Sequence, residues 1–102
     1  MGLVVKSKVV TVTTAGTAVP LLSSTDAQSD IVGAVVQAMT GTIYVGDSTV
    51  KGSTPIGHKL VASSNDSFRL TEDNHNSIDL AKVYLDCDSD GRKANLTYWV
   101  RV

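Results

Sequence analysis

The segment Lys93–Val102 alternates strictly: Ala94, Leu96, Tyr98, Val100 and Val102 share one face, and Lys93, Asn95, Thr97, Trp99 and Arg101 share the other. A period of two is the signature of a half-buried strand. Asp90-Gly91, just before it, is a favoured two-residue turn and predicts a hairpin with Val83–Asp88. Upstream, residues 3–14 are dominated by Val and Thr, and residues 17–22 form a second apolar segment whose Pro20 suits an edge strand. A polar loop over 23–30 leads to the nearly continuous apolar run Ile31–Met39. Val32, Val35 and Val36 favour a central strand there, while Ala34 and Ala38 sit at helical spacing. A turn at Thr40-Gly41 predicts a hairpin between this run and strand 42–46.

Residues 47–57, with Pro55, read as a loop, and His58–Ala62 and Ser67–Glu72 as short strands separated by Ser63-Ser64-Asn65-Asp66. In the second of these, Phe68 and Leu70 point one way and Ser67, Arg69 and Thr71 the other; Asp73–Ser77 is another polar loop. Seven or eight short strands with turn chemistry between them predict an all-β fold, an antiparallel β-sandwich of jelly-roll-like kind, as one domain over residues 1–102.

Composition narrows the functional classes. The nine Lys and Arg are scattered and the formal net charge is −1, so no basic stripe is available for nucleic acid. No stretch is long and apolar enough to span a bilayer, and the two lysines in the first apolar run argue against a secretory signal. Cys87 is alone and cannot form an internal disulfide; it alternates with Val83 and Leu85, as a small buried hydrophobe would.

Three constellations hint at chemistry. Val45-Gly46-Asp47-Ser48 resembles the nucleophile block of the GDS-type esterases, and Ser63-Ser64-Asn65-Asp66 resembles their Gly-x-Asn-Asp block with serine for glycine. That family needs a parallel α/β sheet and a late Asp-x-x-His pair; here His75 follows Asp73 at the wrong spacing and His58 has no acidic neighbour, so catalysis is not expected. Asp86-x-Asp88-x-Asp90-Gly91 matches the opening of a calcium loop, but its twelfth position is Thr97 rather than a bidentate glutamate. A solvated acidic turn explains Asp86, Asp88 and Asp90 equally, and no cofactor or metal is expected. His58, His75 and Cys87 are too few for a tetrahedral zinc site.

Binding is the better prospect. The chain has one Trp, one Phe and three Tyr, so an outward aromatic stands out. Trp99 lies on the polar face of the last strand beside Arg101, and Tyr44 lies on the opposite parity from Ile43 and Val45; Trp, Tyr and Arg are the residue types enriched at interface hot spots. Val4, Val5, Val9 and Val10 exceed what one inward face needs, so another chain is expected to cover part of that surplus.

The segments Ile43-Tyr-Val-Gly-Asp-Ser-Thr-Val50, Pro55-Ile-Gly-His-Lys-Leu60, Ser67-Phe-Arg-Leu70, Ile78-Asp-Leu-Ala-Lys-Val-Tyr-Leu85 and Gly91-Arg-Lys93 together resemble the β-rich head-decoration, or cement, proteins of tailed bacteriophages. The resemblance spans residues 41–102 and its motifs are structural. It implies a non-enzymatic virion protein on the capsid exterior, made in the host cytoplasm, that docks as a dimer or trimer and bridges subunits of the major capsid protein. The candidate partner-binding residues are Tyr44, Trp99, Arg101, Val4 and Val9. A tail component, or a receptor- or carbohydrate-binding sandwich, is the rival reading.

Overall fold

The computed structural model describes residues 2–22, 31–52, 56–71 and 79–101. Within them the chain is all-β, with eight strands: β1 (Leu3–Val12), β2 (Val19–Pro20), β3 (Ile31–Ala38), β4 (Thr42–Gly46), β5 (His58–Val61), β6 (Ser67–Thr71), β7 (Tyr84–Cys87) and β8 (Arg92–Arg101). Single 3-10 turns at Ala62–Ser64 and Leu80–Lys82 supply the only described helix. The strands form two four-stranded sheets, ordered β1-β8-β3-β6 and β2-β7-β4-β5, and every described pairing between them is antiparallel.

The pairings are nested. β1 pairs with β8, β2 with β7, β3 with β6 and β4 with β5, and the β3–β8 and β4–β7 pairings complete the two sheets. Of the described chain-adjacent strands only β4 and β5 pair, and between them Lys51 and Ile56 form an isolated bridge. Two expected hairpins are therefore corrected. The turn at Thr40-Gly41 carries the chain from β3 in one sheet to β4 in the other, and Asp90-Gly91 likewise carries it from β7 to β8. Gly91 adopts φ 81°, a left-handed conformation that suits glycine, but its N–H donates to the carbonyl of Val12 on β1 (2.9 Å) and not across a hairpin. A turn signal records that the chain reverses; whether the flanking strands then pair or face one another is decided by packing.

The inward rows interlock into one core, with Val12, Val36, Ala94 and Leu96 from the first sheet and Ile43, Leu60, Leu85 and Cys87 from the second. In β8 the alternation holds as the sequence predicts, with Ala94, Leu96, Tyr98 and Val100 buried; Val102 lies outside the described residues. β3 is central, between β8 and β6, and a bulge shifts its register between Ile31 and Gly33. The bulge lets Ile31 and Ala34, three apart, both be buried, while Ala34 and Ala38, the pair at helical spacing, are four apart and so share one face of a strand as well. Pro20 sits on an edge strand, β2, where its missing N–H leaves no ladder bond unmade. The expected loops at 23–30 and 73–77, Pro55, Glu72 and Ile78 lie outside the described residues.

Candidate functional site

The outer face of the β1-β8-β3-β6 sheet carries Leu3, Val5 and Val9, half of the exposed large apolar side chains among the described residues. Strand pairing places Val5 beside Trp99, Trp99 beside Gly33 and Gly33 beside Thr71; the next row is Ser7, Thr97, Val35 and Arg69. Leu3, Val5 and Val9 share this face and are 59%, 66% and 50% exposed. Gly33 matters because the indole occupies the space a side chain there would need: a methyl at that position would overlap the Trp99 ring. Trp99 is thus half-buried, laid across β3, and the Arg69 guanidinium stands 5.6 Å from its centroid. A contact of that kind contributes about 0.5–1 kcal/mol at an exposed site and steadies the ring's position.

Of the residues singled out from sequence, Trp99, Arg101 and Val9 fall on this face by parity. Val4 does not: it pairs with Val100 on the inward row, 40% exposed. Val5, singled out as part of the valine surplus, also lies here; Leu3 and Arg69 complete the face and were not singled out. The odd parity of Leu3 and Val5 with Val9 was a usable signal, whereas Arg69 reaches Trp99 only through the β3–β6 and β3–β8 pairings.

Tyr44 is a correction. It does point away from the core, opposite Asp86 on the outer face of the β2-β7-β4-β5 sheet, but that face is roofed by the chain's own loops and Tyr44 is only 7% exposed. Gly52 lies beside its ring and so close to β7 that a methyl at Gly52 would overlap the carbonyl oxygen of Cys87. Val50, in the same loop, is buried against Gly46 and Gly57. Outward parity therefore does not make Tyr44 available to a partner.

Of the three aspartates, Asp88 and Asp90 are exposed at the turn as the sequence predicts, and Asp86 is not. Asp86 is fully buried, and its carboxylate ties two loops to β7: the N–H of Gly16 donates to Oδ1 (2.9 Å) and the N–H of Gly52 to Oδ2 (2.8 Å). Burial pushes this carboxyl's pKa up, but the N–H groups of Gly52, Gly16 and Cys87 and the charge of Lys51 outweigh it, and the net shift is downward. Lys51 also reaches the Gly16 carbonyl with its Nζ (3.5 Å), joining the two loops directly. Asp88 accepts from Arg92 Nε (3.0 Å), and Asp90 accepts from the N–H of Ala15 (2.8 Å). Each carboxylate is thus engaged by backbone or side-chain donors, and among the described residues no three His, Cys, Asp or Glu side chains come together as a metal site would need.

The Gly46-Asp47-Ser48 segment ends β4 in an antiparallel sheet, where the Asp47 carboxylate accepts from the N–H and the hydroxyl of Thr49. These bonds lower the Asp47 pKa and occupy one of its oxygens with a local turn. His58 pairs with Val45 across the sheet, and its ring lies 5.0 Å from that of Phe68. His75 lies outside the described residues. Cys87 is buried, its Sγ donating to the Ser89 carbonyl (2.9 Å), and burial raises its thiol pKa.

No protein-family model, curated protein or solved structure matches the chain. No described helix is long and apolar enough to cross a membrane.

Proposed function

We propose that this chain is a non-enzymatic virion protein of a tailed bacteriophage, a decoration protein that binds the outside of the head as a small oligomer and bridges major capsid subunits. The observation that carries the reading is the outer face of the β1-β8-β3-β6 sheet, where Leu3, Val5, Val9, Trp99, Arg69 and Arg101 assemble a ring, a flanking cation and exposed aliphatic groups on one rigid sheet. Interface cores are rich in such residues, and a contiguous outward apolar patch marks a binding surface more often than it marks chance. We read the architecture as a jelly roll: the neighbour orders 1-8-3-6 and 2-7-4-5 are those of an eight-stranded hairpin rolled into two sheets, an arrangement common to viral capsid and lectin domains.

Many weak contacts to a lattice add through high effective concentration, so an oligomer binds the assembled shell and not the isolated capsid subunit. Co-sedimentation of the purified protein with undecorated heads tests this, with Trp99→Ala expected to weaken binding by about 2 kcal/mol or more, the threshold for a hot spot. Failure of the wild type to bind heads, with localisation to the tail tip, would favour a receptor- or carbohydrate-binding role for the same face, on which Asn95 accompanies Trp99.

A further inference from the structure

Asp86 is the one charged side chain buried among the described residues, and both of its oxygens accept from backbone: the N–H of Gly16 donates to Oδ1 and the N–H of Gly52 to Oδ2. Gly16 lies in the segment 13–18, which follows β1, and Gly52 in the segment 47–52, which follows β4. We propose that these two segments form a single clasp over Tyr44, latched by the Asp86 carboxylate, which opens as a unit while both sheets stay paired. The inference concerns the sheet opposite to the proposed head-binding face and does not depend on that reading.

The two segments are far apart in sequence and are joined twice. One carboxylate holds both, so a change in its charge or position is felt at Gly16 and Gly52 together. Lys51, next to Gly52, also reaches the Gly16 carbonyl with its Nζ (3.5 Å). The seat of Gly52 is specific, because it lies against the Cys87 carbonyl with no room for a side chain and has the Tyr44 ring beside it. A further tie, from the N–H of Ala15 to Asp90, is exposed. The strands beneath are held differently: Ile43, Tyr44, Val45 and Gly46 pair with Cys87, Asp86, Leu85 and Tyr84 in a ladder that neither segment interrupts. Segments attached by a few bonds open before ladders backed by a core do.

Acid is the natural release. Once protonated, the Asp86 carboxyl presents an O–H donor to one of two N–H donors, and a buried donor without an acceptor favours the open state. The charged and titratable groups around it are Lys51 from the second segment, Tyr44 opposite it on β4 with Lys59 beyond in the same row on β5, and Asp88 and Asp90 further along its own chain; segment 13–18 carries none. Burial opposes the charged form, but the N–H groups of Gly52, Gly16 and Cys87 and the charge of Lys51 outweigh it and lower the pKa. The closed clasp is therefore favoured above the ordinary carboxylate value of about 3.9 and released as pH falls through the lowered one.

The test is amide exchange and chemical-shift titration by NMR on the wild type, Asp86→Asn and Gly52→Ala. In the wild type at neutral pH the Gly16 and Gly52 amides have equal protection, lower than that of amides in the β4–β7 and β1–β8 ladders. Gly52→Ala drives a methyl into the Cys87 carbonyl and lifts the second segment, and exchange at Gly16, in the other segment, rises about 5- to 150-fold. In acid the two glycine amides titrate with one midpoint, below about 3.9, and that shared midpoint is absent from Asp86→Asn. Unchanged Gly16 exchange in folded Gly52→Ala overturns the proposal, since it makes the segments independent. Unequal protection of the two glycines, protection as high as the ladders, or a shared midpoint that persists in Asp86→Asn overturns it as well. Should either variant fail to fold, the protections and midpoints of the wild type decide.

Discussion

Trp99 on β8 and Gly33 on β3 are cross-strand partners, and the indole fills the space that any side chain at Gly33 would occupy. The same glycine stands at the bulge in β3, so one position both bends the strand and seats the ring.

Gly33→Ala is expected to displace the indole from β3. Overpacking of this kind costs about 1–3 kcal/mol. Trp99 is the only tryptophan, so its emission reports the displacement directly as a red shift, and urea denaturation reads the stability loss. An unshifted spectrum with unchanged stability would mean that the ring does not rest on Gly33.

Asp86→Asn puts an NH2 donor against one of the two N–H groups that the carboxylate now accepts. Leaving a buried donor unmatched costs about 1–3 kcal/mol, and the loops around Gly16 and Gly52 should loosen together, seen as faster amide exchange at both. The folded-state pKa of Asp86 is lowered, so its stabilisation is present above the ordinary carboxylate value of about 3.9 and is lost as pH falls below it through the folded value. The wild type should therefore lose stability below that pH more steeply than the variant does, compared by denaturant titration at neutral pH and in acid.

Asp88→Ala and Asp90→Ala remove bonds at exposed positions, to Arg92 and to Ala15, and each should change stability by less than about 1 kcal/mol. Because the carboxylates of Asp86, Asp88 and Asp90 are engaged by donors of the chain and do not come together as a metal site, calcium should not raise the melting temperature of the wild type above its value in chelator. A calcium-dependent rise removed by Asp88→Ala would contradict that geometry.

Cys87 should react with a thiol reagent only as fast as the protein opens, since its sulfur is buried and burial holds the thiol neutral by raising its pKa. The labelling rate should rise with denaturant in step with unfolding. Rapid labelling of the native protein would place the sulfur at the surface.

Tyr44→Ala should act on the fold rather than on any partner. Removing a buried aromatic costs about 3–5 kcal/mol, and the loop through Val50 and Gly52 would lose what it covers. Head binding by the variant that remains folded should match the wild type; a selective loss of binding with full stability would restore Tyr44 as a contact residue.

The sequence by itself determined the strands and their two faces. Ala94, Leu96, Tyr98 and Val100 are inward and Trp99 outward because side chains alternate along any extended backbone, a relation confined to neighbouring residues. Only the tertiary structure decided which strands meet. Thr40-Gly41 and Asp90-Gly91 look like hairpin turns, yet each leads into the opposite sheet, because β8 pairs with β3 and with the sequence-distant β1, and no local signal encodes those pairings. The same limit hid the roles of Tyr44 and Asp86. Both have outward parity, but the loops through Gly16 and Gly52 fold over them, and burial is a property of what lands on a face rather than of the face itself.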